Sequence, residues 1–181
     1  GAAVAEIGRE NFRLLKGFPA DAVQLVPENR LCATMIEMLN VEGVVLEPAG
    51  ALAIDALKDF PKKEIKGKTI VAVVSGGNFD FERLPDVKER ALRFGGLKKY
   101  FIIRFPQRPG ALRDFLEMPG PEDDIARFEY LKKSARNFGS VLIGIETKDK
   151  RNFDLLTAKF DVEGVQYQDI TENETLAAFI I

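Results

Sequence analysis

Apolar and polar positions alternate most clearly from Lys98 onward. Phe101, Ile103 and Phe105 fall on one face of a predicted strand over 98–105. Pro109-Gly110 interrupts that strand. An amphipathic helix is predicted next over 110–118, stopped by Pro119-Gly-Pro121. A strand over 124–131 pairs, through the polar loop from Lys132 to Phe138, with a strand over 139–147. There Val141, Ile143 and Ile145 alternate with Leu142, Gly144 and Glu146. Phe153, Leu156 and Phe160 recur at helical spacing, so 150–162 reads as a helix ended by Gly164, and 165–170 as a last strand. The order βαββαβ is the ferredoxin-like arrangement, two helices on one face of an antiparallel sheet. Tyr100, Ile102 and Leu142 fall on its outward face beside Arg104 and Glu146. Thr171-Glu-Asn-Glu174 has the form of a capping box, which predicts a short final helix carrying Leu176, Phe179 and Ile180.

Residues before Phe94 have a different rhythm, of strands alternating with helices. A helix from Gly8 is ended by Gly17, and Ala22 to Val26 reads as a short strand. Pro27 to Glu42 predicts a helix with Leu31, Met35, Met38 and Leu39 on one stripe, ended by Gly43. A further helix after Glu47-Pro48-Ala49-Gly50 turns Leu52, Ala56 and Leu57 inward. Thr69 to Val74 (TIVAVV) is apolar on both faces, as a buried parallel strand is. These signs predict an α/β domain over 1–94 and an α+β ferredoxin-like domain over 95–181.

Composition changes this picture only by exclusion. Of 181 residues, 26 are Lys or Arg and 28 Asp or Glu, a net charge of -2 that gives no basic surface for nucleic acid or an anionic membrane. No apolar run has membrane-spanning length. The single Cys32 sits on the apolar side of a predicted helix, reads as a core residue and fits a reducing cytosol. With no His and one Cys, His-based triads are excluded and no transition-metal site is expected.

Three local features carry candidate chemistry. Ser75-Gly76-Gly77-Asn78 follows TIVAVV directly, at the carboxyl end of a predicted strand, where ligands of open α/β sheets sit. Read locally, it is either a ligand loop or a plain turn. Glu47, before Pro48, either orients a substrate or caps the helix that follows. Third, Pro109 suits the first position of a helix, and Gly110 lets another group approach the backbone. Free amides at Gly110 to Leu112 then suit a carboxylate, with Arg104 or Arg108 adding charge. The same turn also serves a purely structural role. Lys62-Lys63, Lys132-Lys133 and Asp123-Asp124 read as solvated loop charges.

Taken together, VPENRLCATMIEMLNVEGVVLEPAGALAIDAL, TIVAVVSGGNFDFERL, YFIIRFPQRPGALRDFLE and YQDITENETLAAFII resemble, in order and spacing, the biosynthetic threonine dehydratases. The resemblance covers essentially the whole chain. It implies that residues 1–94 are the last part of a pyridoxal 5'-phosphate domain of the tryptophan synthase β type, followed by one ACT-like regulatory domain over 95–181. It gives Ser75 the hydrogen bond to the pyridine nitrogen of that cofactor, Gly76 and Gly77 the wall beside the ring, and Glu47 a place on the substrate side. The implied reaction converts L-threonine to 2-oxobutanoate and ammonia. The implied effectors are isoleucine as inhibitor and valine opposing it, with Arg108, Pro109, Gly110, Ala111 and Leu112 at their site. ACT-like domains pair, so a dimer through that domain and a tetramer of the full enzyme are expected.

The chain departs from that family pattern in lacking an S-x-K Schiff-base lysine and a glycine-rich phosphate loop. The expectation is therefore the C-terminal part of a larger enzyme, inactive by itself and retaining the effector site. Two other readings stand beside it. One is a stand-alone amino-acid-binding module; the other, a nucleotide-binding α/β protein, is disfavoured because SGGN is shorter than a Walker or dinucleotide loop.

Overall fold

A computed structural model describes residues 4–131, 138–173 and 175–176, and the chain divides into two compact units, Gly1–Phe94 and Gly95–Ile181. In the second unit the alternating residues of β1 (Lys98–Pro106) lie at the centre of a four-stranded antiparallel sheet. The sheet order is β2-β3-β1-β4, with β2 at Asp124–Leu131, β3 at Phe138–Glu146 and β4 at Gln166–Asp169. Register follows the apolar pattern: Phe101 faces Ile143 and Ile103 faces Val141 across β1 and β3. Two helices, α6 (Ala111–Leu116) and α7 (Arg151–Val162), supply the other side of the core. This is the βαββαβ arrangement expected, with helix and strand ends moved by a residue or two.

Aromatic rings dominate that core. Phe101, Phe115, Phe153 and Phe160 are all buried. Phe160 packs edge-on to Phe101 at 6.0 Å and stacks on Phe115 at 5.9 Å. Such pairs add to the area term that any buried ring contributes. On the outward face Tyr100 is buried too, because the chain after β4 returns across it: the Tyr100 N–H donates to the Thr171 hydroxyl at 3.0 Å. That hydroxyl in turn donates to Asp169 Oδ1 at 2.6 Å. Asn173 Oδ1 accepts the Leu176 N–H at 3.0 Å. Glu174, Phe179 and Ile180 of the expected final helix, and Lys132-Lys133 of the hairpin loop, lie outside the described residues.

The first unit is built differently. Its helices are α1 (Arg9–Leu15), α2 (Glu28–Glu37), α3 (Pro48–Ala56), α4 (Lys62–Ile65) and α5 (Leu84–Phe94). A π-helical turn over Met38–Glu42 prolongs α2, and Gly43 closes it in the left-handed region at φ 66°. Leu31, Cys32, Met35, Leu46, Ala51 and Val87 form the core, and burial pushes the Cys32 thiol up. Beside them Asp55 is fully buried, accepting from Arg30 Nε at 2.8 Å and from the Thr34 hydroxyl at 2.5 Å. Arg30 also reaches Asp59 at 2.5 and 2.6 Å.

Two expectations fail in this unit. The strands at 22–26 and 69–74 do not form, so among the described residues the α/β character of 1–94 reduces to helices and irregular chain. A strand needs a neighbour to take its N–H and C=O groups. Thr69–Val74 pairs with none, leaving Val71 and Val73 at 82% and 73% exposure. The buried face of α3 differs in part: Ala51 and Asp55 are fully buried, Leu52 packs half-buried against the core as expected, and Ala56 and Leu57 are half-buried. Arg30 makes Asp55 burial affordable, because a paired and hydrogen-bonded carboxylate tolerates loss of water.

Candidate functional site

Chain geometry brings two of the three candidate features together. Pro48 opens α3, and Glu47 is the residue before it. The Glu47 carboxylate makes no cap hydrogen bond. Its backbone does the local work, the carbonyl accepting from Gly50 at 3.0 Å and Ala51 at 3.3 Å. Its N–H donates to Gly76 O at 3.3 Å, which fastens the Ser75-Gly76-Gly77 loop over the first turn of α3. With the side chain freed from capping, the carboxylate lies against Gly76: a methyl there would sit 2.0 Å from Glu47 Oε1. Gly77 has more room, 3.6 Å from Val45 O, and Ser75 is exposed. The Glu47 carboxylate and the Gly76 backbone thus meet next to an exposed serine in the chain. That donor set suits the ring edge and amine side of a flat heterocyclic ligand, since absent β-carbons let such a ring approach the backbone.

The second unit holds the third feature. Gly110 takes φ 83°, a conformation that disfavours a side chain, and α6 starts immediately after it. Backbone carbonyls accept from Ala111 (Arg108 O, 3.3 Å) and Asp114 (Gly110 O, 3.0 Å) but from neither Leu112 nor Arg113, the free donors of a first helical turn. A cavity of about 500 Å³ opens beside them, between the end of β1, α6 and the turn from α7 into β4. Phe105, Ala111, Phe115 and Val165 give it an apolar wall, and Arg104, Arg108, Asp114 and Glu163 give it charge. Gly110 and Leu112 line a neighbouring cavity of about 530 Å³ that reaches Tyr130. Pro109 is exposed at the turn.

Both arginines are engaged. Arg108 Nη2 lies 2.8 Å from Asp114 Oδ2, and its hydrogen bond holds the Asp114 carboxyl below the usual carboxylate range. Arg104 Nη1 donates to Gln166 Oε1 at 2.9 Å, with its guanidinium 4.2 Å from the centre of the Phe138 ring. A zwitterion entering the cavity would exchange partners rather than meet bare charge. Its carboxylate would compete with Asp114 for Arg108, and its ammonium would meet Asp114 or Glu163. Asp114 and Glu163 were missed by sequence reasoning, although the placement of Asp114 six residues after Arg108 across a Pro-Gly turn was a usable signal. Asp123, read as a solvated charge, instead braces the Pro119-Gly-Pro121 loop, accepting from Gly120 N at 2.7 Å and Asn152 Nδ2 at 3.1 Å.

Among the described residues no helix is long and apolar enough to cross a membrane. A family model for the C-terminal regulatory domain of threonine dehydratase matches residues 89–180. The L-threonine dehydratases biosynthetic IlvA of Halalkalibacterium halodurans and Bacillus subtilis are each 47% identical to the chain, and that of Staphylococcus saprophyticus is 46% identical. Each alignment covers all of this chain and 43% of the relative, so the chain spans less than half the length of the proteins it matches.

Proposed function

The chain belongs to the family of threonine dehydratase C-terminal regulatory domains, and on that footing we propose that its second unit is the effector sensor of an enzyme converting L-threonine to 2-oxobutanoate and ammonia. The observation that carries the reading is the cavity at Arg108, which joins two cations, two carboxylates and an apolar wall within about 500 Å³. A branched aliphatic amino acid needs those three elements and little more. Isoleucine is the proposed inhibitor, with valine opposing it at the same place. Arg108 and Ala111 receive the carboxylate, Phe105, Phe115 and Val165 the side chain, with the amide of Leu112 bordering the neighbouring cavity. Gly110 keeps the turn open, and Pro109 sets its direction. Effector binding acts at a distance only if it favours one arrangement of the assembly over another, which fits a dimer formed through this unit and a tetramer of the whole enzyme.

Residues 1–94 are, in this proposal, part of the catalytic domain of tryptophan synthase β type. Ser75, Gly76 and Gly77 would hold pyridoxal 5'-phosphate by its pyridine edge, and Glu47 would face the substrate. When bound, that cofactor supplies the electron sink for loss of the α-proton and β-hydroxyl of threonine. A serine hydroxyl at the ring nitrogen, in place of a carboxylate, leaves that nitrogen largely unprotonated.

Thermal melting of the chain tests the sensor reading. Isoleucine at 100 times its dissociation constant is expected to stabilise the second unit by about 2.7 kcal/mol. Threonine and glycine at equal concentration should do much less. A transition unmoved by millimolar isoleucine and valine contradicts the proposal.

A further inference from the structure

Gly50 sits buried in the first turn of α3 with ordinary helical backbone. Neither local conformation nor helix stability calls for glycine there, since glycine costs roughly 1 kcal/mol against alanine inside a helix. What calls for it is the approach of another backbone. A β-carbon at Gly50 would lie 2.1 Å from Gly76 O, 3.0 Å from Gly76 C and 3.1 Å from Gly76 N. Ordinary contact begins near 3.4 Å, so the Gly76 peptide would have to retreat by about 1 Å. Nothing flexible can yield in its place, because the atoms met are main chain. Gly76 meets Glu47 on its other side through a side chain, which can swing away.

We propose that Gly50 is a positioning residue: by letting the Gly76 peptide rest on α3, it sets the depth at which Ser75 and Gly76 face a bound cofactor. The inference rests on the cofactor reading given above and adds to it a residue that touches neither cofactor nor substrate. Its mechanism is steric. A side chain at position 50 lifts the loop, moves the Ser75 hydroxyl away from the ring edge and breaks the Glu47 N–H bond to Gly76 O, now 3.3 Å.

The test uses the full-length enzyme carrying Gly50→Ala, with Ser75→Ala as the cofactor probe and Gly17→Ala as the control, since nothing lies within 4 Å of a methyl at Gly17. The readouts are the pyridoxal phosphate dissociation constant, the absorption maximum of the bound cofactor and the melting temperature without cofactor. Gly50→Ala is expected to weaken cofactor binding about tenfold or more and to shift the absorption maximum, in line with the cost of a 1 Å misplacement. Gly17→Ala should match the parent in all three. A folded Gly50→Ala with parental affinity and spectrum overturns the inference, and so does one that changes only the melting temperature. If Ser75→Ala leaves affinity and spectrum unchanged, the cofactor reading itself fails, a separate outcome. Should Gly50→Ala not fold by itself, it is refolded with saturating pyridoxal phosphate and read in the same way. Failure to fold even then marks Gly50 as purely structural and overturns the inference.

Discussion

The two units of this chain use the same kinds of residue to opposite ends. In the second, aliphatic and aromatic positions find partners within 87 residues: β1 is flanked by β3 and β4, and α6 and α7 close the core over Phe101 and Phe160. In the first, the most strand-like stretch, Thr69–Val74, has no ladder and turns Val71 and Val73 to solvent. Its stability comes from a small cluster on α2, α3 and α5 and from the buried Asp55 with Arg30. Apolar sequence proposes a strand, but a neighbouring strand makes one. A unit that closes its own sheet can serve as an independent sensor, whereas a unit with open apolar chain cannot be judged from its own residues alone.

The sharpest way to break that contrast is to empty one core. Phe160→Ala should destabilise the second unit by about 3–5 kcal/mol, as removal of a fully buried ring does, and leave the first unit's transition in place. Calorimetry resolves the two transitions, and a fall in both would show that the units do not melt separately. Asp55→Ala is the counterpart in the first unit. Removing the buried carboxylate that Arg30 Nε and the Thr34 hydroxyl share, while Arg30 keeps Asp59, is expected to cost about 1–3 kcal/mol there and nothing in the second.

Smaller effects probe the edges of the comparison. Asp149 is held at about 2 by the Arg151 side chain and N–H, below its ordinary 3.8. A carboxyl depressed in the folded state stabilises above its unfolded value and loses that contribution as pH falls through the folded one. The second unit's melting temperature should therefore decline between about pH 4 and pH 2, and Asp149→Asn should flatten the decline. Val71→Lys should change the chain's melting by less than about 0.5 kcal/mol, since the side chain is already exposed. A larger loss would mean that Thr69–Val74 is covered in solution.

The same contrast explains what the sequence made legible. In the second unit each element carries its own signal: alternation in β1 and β3, the Phe153, Leu156, Phe160 stripe, and glycines at 110 and 164 with positive φ. Its strands pair with one another and its core residues pack on them, so pattern and structure agree. Thr171 also has a role that its capping-box pattern does not show, since its hydroxyl accepts the Tyr100 N–H of β1. In the first unit Asp55 was unreadable as a core residue, because its partner Arg30 lies 25 positions away. The approach of EPAG to SGGN was likewise invisible in the spacing. It is fixed by backbone contact between Gly50 and Gly76, and glycine alone does not say what it admits.

The central claim is that the second unit binds an aliphatic amino acid in the cavity at Arg108. Backbone NMR of the chain titrated with isoleucine tests it most directly. The account predicts saturable shifts concentrated at Ala111, Phe115 and Val165, strongly weakened in Arg108→Ala while the fold of that unit persists. Saturable shifts elsewhere, or a titration identical in Arg108→Ala, would contradict it.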